Sequence, residues 1–325
     1  MSLDADYIVD RRRMRRKLTF WRVIAVLIAI VAVVGIAARF VGRGALLAEA
    51  PGNYIARVTI TGIIRNNQER VDALERLAKS NARAVIVRID SPGGTTAGAE
   101  QLYDSLRAVA AKKPTVVVVD GLAASGGYIA AMASDHIVAQ QSSLVGSIGV
   151  LFQFPNVSEL LKTVGVKVEE VKSSPLKAAP NGFEPTSPEA RAALEAIVKD
   201  SYAWFRGLVK DRRQMDDETL NTVADGRVFT GRQAIALKLI DQIGNETSAI
   251  EWLAQEKKVD AKWPVRDWKL ESRLGDFSFI HLAATVADRM GLGVLGRLIE
   301  NSATVQTIDR LNLDGLLALW HPSAN

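Results

Sequence analysis

The chain has 325 residues, 48% hydrophobic and 24% charged, a balance that excludes global disorder. It has no cysteine, which excludes a disulfide framework, a thiolate nucleophile and a zinc–thiolate site, and only three histidines (His136, His281, His321), too few for a multi-histidine metal centre. The formal net charge of +5 sits at one end: residues 1–60 hold ten Lys/Arg against four acids, the other 265 residues 31 against 32, so no folded basic face points to nucleic acid.

The basic stretch 1–17 reads as a cytoplasmic N-terminus and residues 18–41 as a transmembrane helix. Leu18–Phe40 is 23 residues, about 34 Å as a helix, enough for a ~30 Å hydrocarbon core. Arg22 and Arg39 stand near its ends and Phe20, Trp21 and Phe40 at interfacial positions. Seven bases precede the charge-free core Val23–Ala38 and two, Arg39 and Arg43, follow it closely, so the positive-inside bias places the rest of the chain outside the cytoplasm. The rival is a cleaved signal peptide at Ala48-Glu49-Ala50. Pro51 would then open the mature chain, and the site lies well past the apolar run, so the retained anchor is the stronger reading.

Residues 42–53 read as a linker, 54–261 as the main folded domain and 262–325 as a leucine-rich helical extension. In chain order, Tyr54–Ile64 alternates as a strand and Asn67–Ser80 has helical spacing. Ala84–Ile89 is a β-branched buried strand stopped by the turn signal Ser91-Pro92-Gly93-Gly94. Ala97–Ala111 is helical, Thr115–Val119 a strand, Ala124–Ala133 a helix and Ile137–Ala139 a strand. The alternation predicts an α/β fold around a parallel sheet. Ser187-Pro188-Glu189 opens a helix reaching about Asp211, and Gly231–Leu239 and Ser248–Gln255 follow as helices.

Two glycine-rich segments, Ser91–Gly94 and Ala124–Gly127, stand at the C-terminal ends of predicted parallel strands, where open α/β sheets place ligands. Neither fits a phosphate-binding pattern. Ser125 at a helix start, beside free N–H groups, supplies the minimum for acyl transfer through an oxyanion. Tight βα turns alone would be the bland explanation. A serine needs a base, and His136 reads as a strand or core residue. A lysine serves if its pKa falls from ~10.4 to about 7–8, which a dry pocket achieves. Lys162, Lys167, Lys172 and Lys177 are candidates, and spacing does not choose between Lys172 and Lys177.

RIDSPGG (Arg88–Gly94), VDGLAASGGYIAAMASDHIVA (Val119–Ala139), VGSIGV (Val145–Val150), VKSSPLK (Val171–Lys177) and GRVFTGRQAIALKLID (Gly226–Asp241), behind a single N-terminal anchor, resemble the short-form bacterial signal peptide peptidase A family. The resemblance implies a Clp-protease/crotonase-like fold of repeated ββα units and a serine endopeptidase acting on remnant signal peptides and other apolar peptides at the outer face of the cytoplasmic membrane. It implies Ser125 as nucleophile, Lys177 as general base, Ser147 as the serine orienting the lysine, and the N–H groups of Gly94 and Gly126 as oxyanion hole. No cofactor or metal is implied. A homo-oligomeric ring is, with the dyad completed between neighbours. The rivals are a related membrane peptidase, a crotonase-like acyl-transfer enzyme, and a non-catalytic membrane scaffold.

Overall fold

The computed structural model describes residues 20–22, 52–270 and 317–320. The chain divides into two units, 1–52 and 53–325. Residues 20–22 are helical. Apart from them, the expected membrane span 18–41 lies outside the described residues, as do His281 and His321. Among the described residues no helix is long and apolar enough to cross a membrane.

In the second unit, strand and helix alternate. The order is β1 (Tyr54–Ile64), α1 (Gln68–Lys79), β2 (Ala82–Thr95), α2 (Thr96–Ala110), β3 (Thr115–Ala124), α3 (Gly126–Ala131) and β4 (His136–Ala139). There follow β5 (Leu144–Gly146), α4 (Ser158–Thr163), α5 (Pro188–Arg213), α6 (Asp217–Val223), β6 (Val228–Thr230), α7 (Gly231–Ala236), β7 (Gln242–Ile243), α8 (Glu246–Lys257), β8 (Val265–Asp267) and β9 (Leu317–Leu319). The expected 262–325 extension is described only in part, and its described parts include two strands, β8 and β9, each paired to the central sheet.

Local chemistry sets the element ends. Asn67 caps α1 by accepting the Arg70 N–H, and Thr95 caps α2 by accepting that of Gly98. Ser187 caps α5 with Pro188 at its first position, and Gln214 closes that helix in the left-handed conformation. Thr230 and Gln233 form a reciprocal capping box on α7.

The sheet runs β6-β5-β3-β2-β1-β8, with β4 and β7 branching from β3. The ladders β1–β2, β2–β3, β3–β4, β3–β5 and β1–β8 are parallel; β5–β6 and β2–β9 are antiparallel. The interior strands are buried on both faces, hence the uninterrupted runs AVIV and TVVVV. On one face Ile55, Ile86, Val116, Val118 and Val138 pack with Ala249 and Leu253 of α8. Val85, Val87 and Val117, a residue out of step, are buried on the other. Each such side chain contributes about 1.5–3 kcal/mol by leaving water.

Two features position the site. First, β3 changes partner in mid-strand: Val116–Val119 pair with β4, Leu122–Ala124 with β5. The sheet therefore forks at its C-terminal end, the kind of place where α/β sheets open a crevice. Second, the turn expected at Ser91–Gly94 is not a turn. Strand β2 continues to Thr95, because Gly93 and Gly94 are held opposite Ile63 and Ile64 of β1.

Candidate active site

Ser125 stands between the end of β3 and the start of α3, inside the fork. Its backbone is at φ 53°, ψ −116°, a conformation that L residues rarely adopt. The surroundings hold it there: its N–H donates to Gly146 O (2.8 Å), and its carbonyl accepts from Tyr128 N–H (2.9 Å) and Ile129 N–H (3.0 Å). Strain that the neighbours over-determine in this way is a mark of functional positions. Ser147 is the second such residue, at φ 51°, with its N–H donating to Arg227 O at 2.8 Å. Since Gly146 is the partner of Ala124 across the β3–β5 ladder, the two serines are brought to the same end of the fork.

Gly126 opens α3, where the first N–H groups of a helix have no intrahelical acceptor. Gly94 lies opposite Ile64 of β1 and Ala318 of β9. The glycines serve chain packing first. A Cβ on Gly94 would stand 1.8 Å from Ile64 O, and one on Gly127 2.7 Å from Ser91 O. Gly94 thus lets β2 lie close on β1, and Gly127 lets the start of α3 close on β2 beside Ser91. Of the five expected site residues, Ser125, Gly126 and Ser147 stand at this fork, and Gly94 lies on β2 three residues past its last pairing with β3, at Ser91. Lys177 stands apart: it lies exposed in the segment between α4 and α5, whereas Ser125 is 1% exposed, and among the described residues no hydrogen bond joins the two side chains.

Comparison with known proteins bears on this geometry. The sequence profile of peptidase family S49 matches residues 107–260, and that of Clp protease matches 58–143. A candidate protease of Synechocystis sp., slr0021, is 37% identical over 202 residues, 62% of this chain and 73% of its own. The chain belongs to peptidase family S49. Protease 4 of Salmonella typhi is 33% identical over 224 residues, 69% of this chain and 34% of that one. A candidate signal peptide peptidase SppA of Enterococcus faecium is 30% identical over 227 residues, 65% of each chain. The protein is thus a serine peptidase of family S49 with a mixed α/β, Clp-protease-like fold.

The bases other than Lys177 separate by their contacts in this S49 chain. Lys172 is clamped between Glu170 (2.5 Å) and Glu184 (2.7 Å), and these hydrogen bonds, Glu170 first, raise its pKa, the wrong direction for a base. Lys162 pairs with Glu159 at 2.6 Å. His136 opens β4 level with Val116, nine residues before Ser125 along β3, so up to about 30 Å of extended chain separates them. Its ring stacks on Trp252 at 4.5 Å and meets Gln242 Oε1 at 3.1 Å, a structural role. Among the described residues no group of three or more His, Cys, Asp or Glu side chains converges to hold a metal ion.

Several supporting residues escape sequence reasoning. Ser91 Oγ donates to Gly62 O (2.7 Å) and accepts the Gly93 N–H (3.1 Å), fixing the register shift between β1 and β2 just before Gly94. Arg212, from α5, donates to Met132 O and Ser134 O, and Arg107 to Ala133 O, satisfying carbonyls just past the end of buried α3. Burial lowers the Arg212 pKa. Tyr128, fully buried in α3, donates to Leu239 O at 2.7 Å, and burial raises its phenol pKa. The only sequence signal was the long helix carrying Arg212; its target lies 78 or 80 residues away.

Proposed function

We propose that this chain is a membrane-anchored endopeptidase. Ser125 is its nucleophile, Lys177 of a neighbouring copy its general base, and its substrates are remnant signal peptides and other extended apolar segments at the outer face of the cytoplasmic membrane. The observation that carries the nucleophile is the strained Ser125 backbone at the fork, one residue before the start of α3 and level with Ser147 across the β3–β5 ladder. The membrane anchor and orientation rest on the apolar run at 18–41 and its basic flank.

The exposed segment carrying Lys177 supports completion by a neighbour. Val164, Val166, Val168, Val171, Leu176 and Phe183 all expose apolar surface on it, and Val171 is fully exposed. Exposed apolar side chains in this number on one segment fit a protein contact. Covering it in a homo-oligomeric ring would bring Lys177 out of water beside the next subunit's serine. There the neutral amine takes the Ser125 hydroxyl proton as Oγ attacks the peptide carbonyl. Ser147 orients the amine, and the Gly94 and Gly126 N–H groups hold the oxyanion. The protonated lysine then gives its proton to the leaving amine, and water hydrolyses the acyl ester.

The test is complementation. Ser125→Ala and Lys177→Ala should each lower casein or signal-peptide cleavage by at least about 10³-fold with unchanged circular dichroism. Mixing the two variants should restore activity, because some interfaces then hold both groups. Full activity in either single variant refutes the assignment. Two dead variants whose mixture stays dead refute the shared site.

A further inference from the structure

Most of the segment GRVFTGRQAIALKLID (Gly226–Asp241) has plain structural duties. Thr230 and Gln233 cap α7, Leu239 O accepts the Tyr128 hydroxyl, and Asp241 pairs with Arg213 and accepts the Ile137 N–H. Its head, Gly226-Arg227, is different. A Cβ on Gly226 would meet nothing within 4 Å, and the Arg227 side chain is 65% exposed, so neither residue is there for packing. What this turn holds is a backbone carbonyl.

Asp225 closes the turn. Its Oδ1 accepts the Arg227 N–H at 3.1 Å, and its Oδ2 accepts from Arg227 Nε at 2.6 Å and pairs with a second guanidinium nitrogen. Gly226 between them takes φ 92°, a conformation open to glycine. A carboxylate bonded to the backbone two residues on fixes the course of the chain there. The root of the turn is fixed as well, since Tyr202 of α5 donates its hydroxyl to the carbonyl of buried Ala224. Asp225, Gly226, Tyr202 and Ser147 wall one cavity of about 370 Å³, so the turn adjoins the site.

The Arg227 carbonyl accepts the Ser147 N–H at 2.8 Å, one step beyond the last β5–β6 pair, Gly146 with Val228. The Ser125 N–H donates to Gly146 O, also at 2.8 Å. The Gly146 carbonyl and the Ser147 N–H belong to the same peptide unit, which is planar and rigid. One plate is therefore held at both edges, by Ser125 on one side and Arg227 on the other. The two strained serines, at φ 53° and φ 51°, are both attached to it.

We propose that Asp225 is a positioning residue of the active site: by fixing the Arg227 carbonyl it holds the Gly146–Ser147 peptide, and through it Ser125 and Ser147, in the reactive arrangement. This rests on reading the Ser125 fork as the active site. The Asp225–Arg227 ion pair itself is too exposed to add much stability. The acceptor geometry of Asp225, rather than its charge, does the positioning.

The test separates acceptor from charge in the full chain. Asp225→Asn keeps an oxygen for the Arg227 N–H and loses the ion pair. Asp225→Glu keeps the charge and moves the acceptor by one methylene, and Asp225→Ala loses both. Asp225→Glu and Asp225→Ala should lower kcat for a fluorogenic apolar peptide about tenfold, with KM and the unfolding midpoint unchanged, while Asp225→Asn stays within about twofold of the parent. If Asp225→Ala does not fold, Asp225→Glu carries the comparison. Activity that follows the charge, with the Glu variant active and the Asn variant impaired, overturns the proposal. So does a loss of kcat that matches the fraction unfolded. Ser125→Ala is assayed beside the series. If it is inactive while every Asp225 variant keeps the parent kcat, the positioning role alone falls; if it keeps full hydrolysis, the site reading falls and takes the positioning role with it.

Discussion

The fork around Ser125 and the segment between α4 and α5 differ in how they are held. At the fork the Ser125 N–H and carbonyl are both bonded, the helix behind it is wholly buried, and two arginines reach in from α2 and α5 to satisfy the carbonyls past its end. The Lys177 segment buries little. It is organised by its own charges, Lys172 between Glu170 and Glu184 with Asn181 donating to both acids, around a cavity of about 500 Å³. One half of the proposed chemistry is preorganised inside the subunit; the other half is displayed at its surface. A rigid nucleophile with a surface-borne base makes activity conditional on association, because the amine loses water only when covered.

Three measurements sharpen this contrast. The largest effect belongs to the core: Ile86→Ala should cost about 2–5 kcal/mol, read as a lower urea midpoint with unchanged slope, since the cavity forms where both sheet faces are packed. A cost below 1 kcal/mol would mean that the sheet relaxes, and the rigidity argument would fail. The second is alkaline titration. The Lys172 pKa is raised by its carboxylate partners, so the stability those pairs supply is present at neutral pH and is lost only as pH rises through the raised value, above the usual lysine range of about 10.4. Amide exchange in residues 165–186 should therefore accelerate there before the β2 and β3 amides do; simultaneous loss would unite the two regions. The smallest effect on folding is expected from Val171→Asp, within about 0.5 kcal/mol for a fully exposed side chain, while sedimentation should report loss of assembly. An unchanged assembly with full activity would remove this face from the interface.

The sheet was legible because burial on both faces demands β-branched runs, and β1 ends at the residues its alternation marks. The continuation of β2 through Gly93-Gly94 was not, because glycine ordinarily stops a strand, and only the pairing with Ile63 and Ile64 overrides that preference. The place of Ser125 at a strand–helix junction was legible from the tandem glycines, but what those glycines accommodate is the neighbouring backbone. Spacing left Lys172 and Lys177 equivalent; the acids around Lys172 distinguish them, and Glu184 lies 12 residues along the chain. Arg212 and β9 were hidden for one reason: their partners are remote in sequence.

The change of partner within β3 has a wider consequence. Because the crevice is opened by two diverging backbone ladders, its existence does not depend on which side chains line it. Residues at its rim are free to vary from one relative to another at little cost to folding, while the position of the Ser125 hydroxyl stays anchored to the main chain.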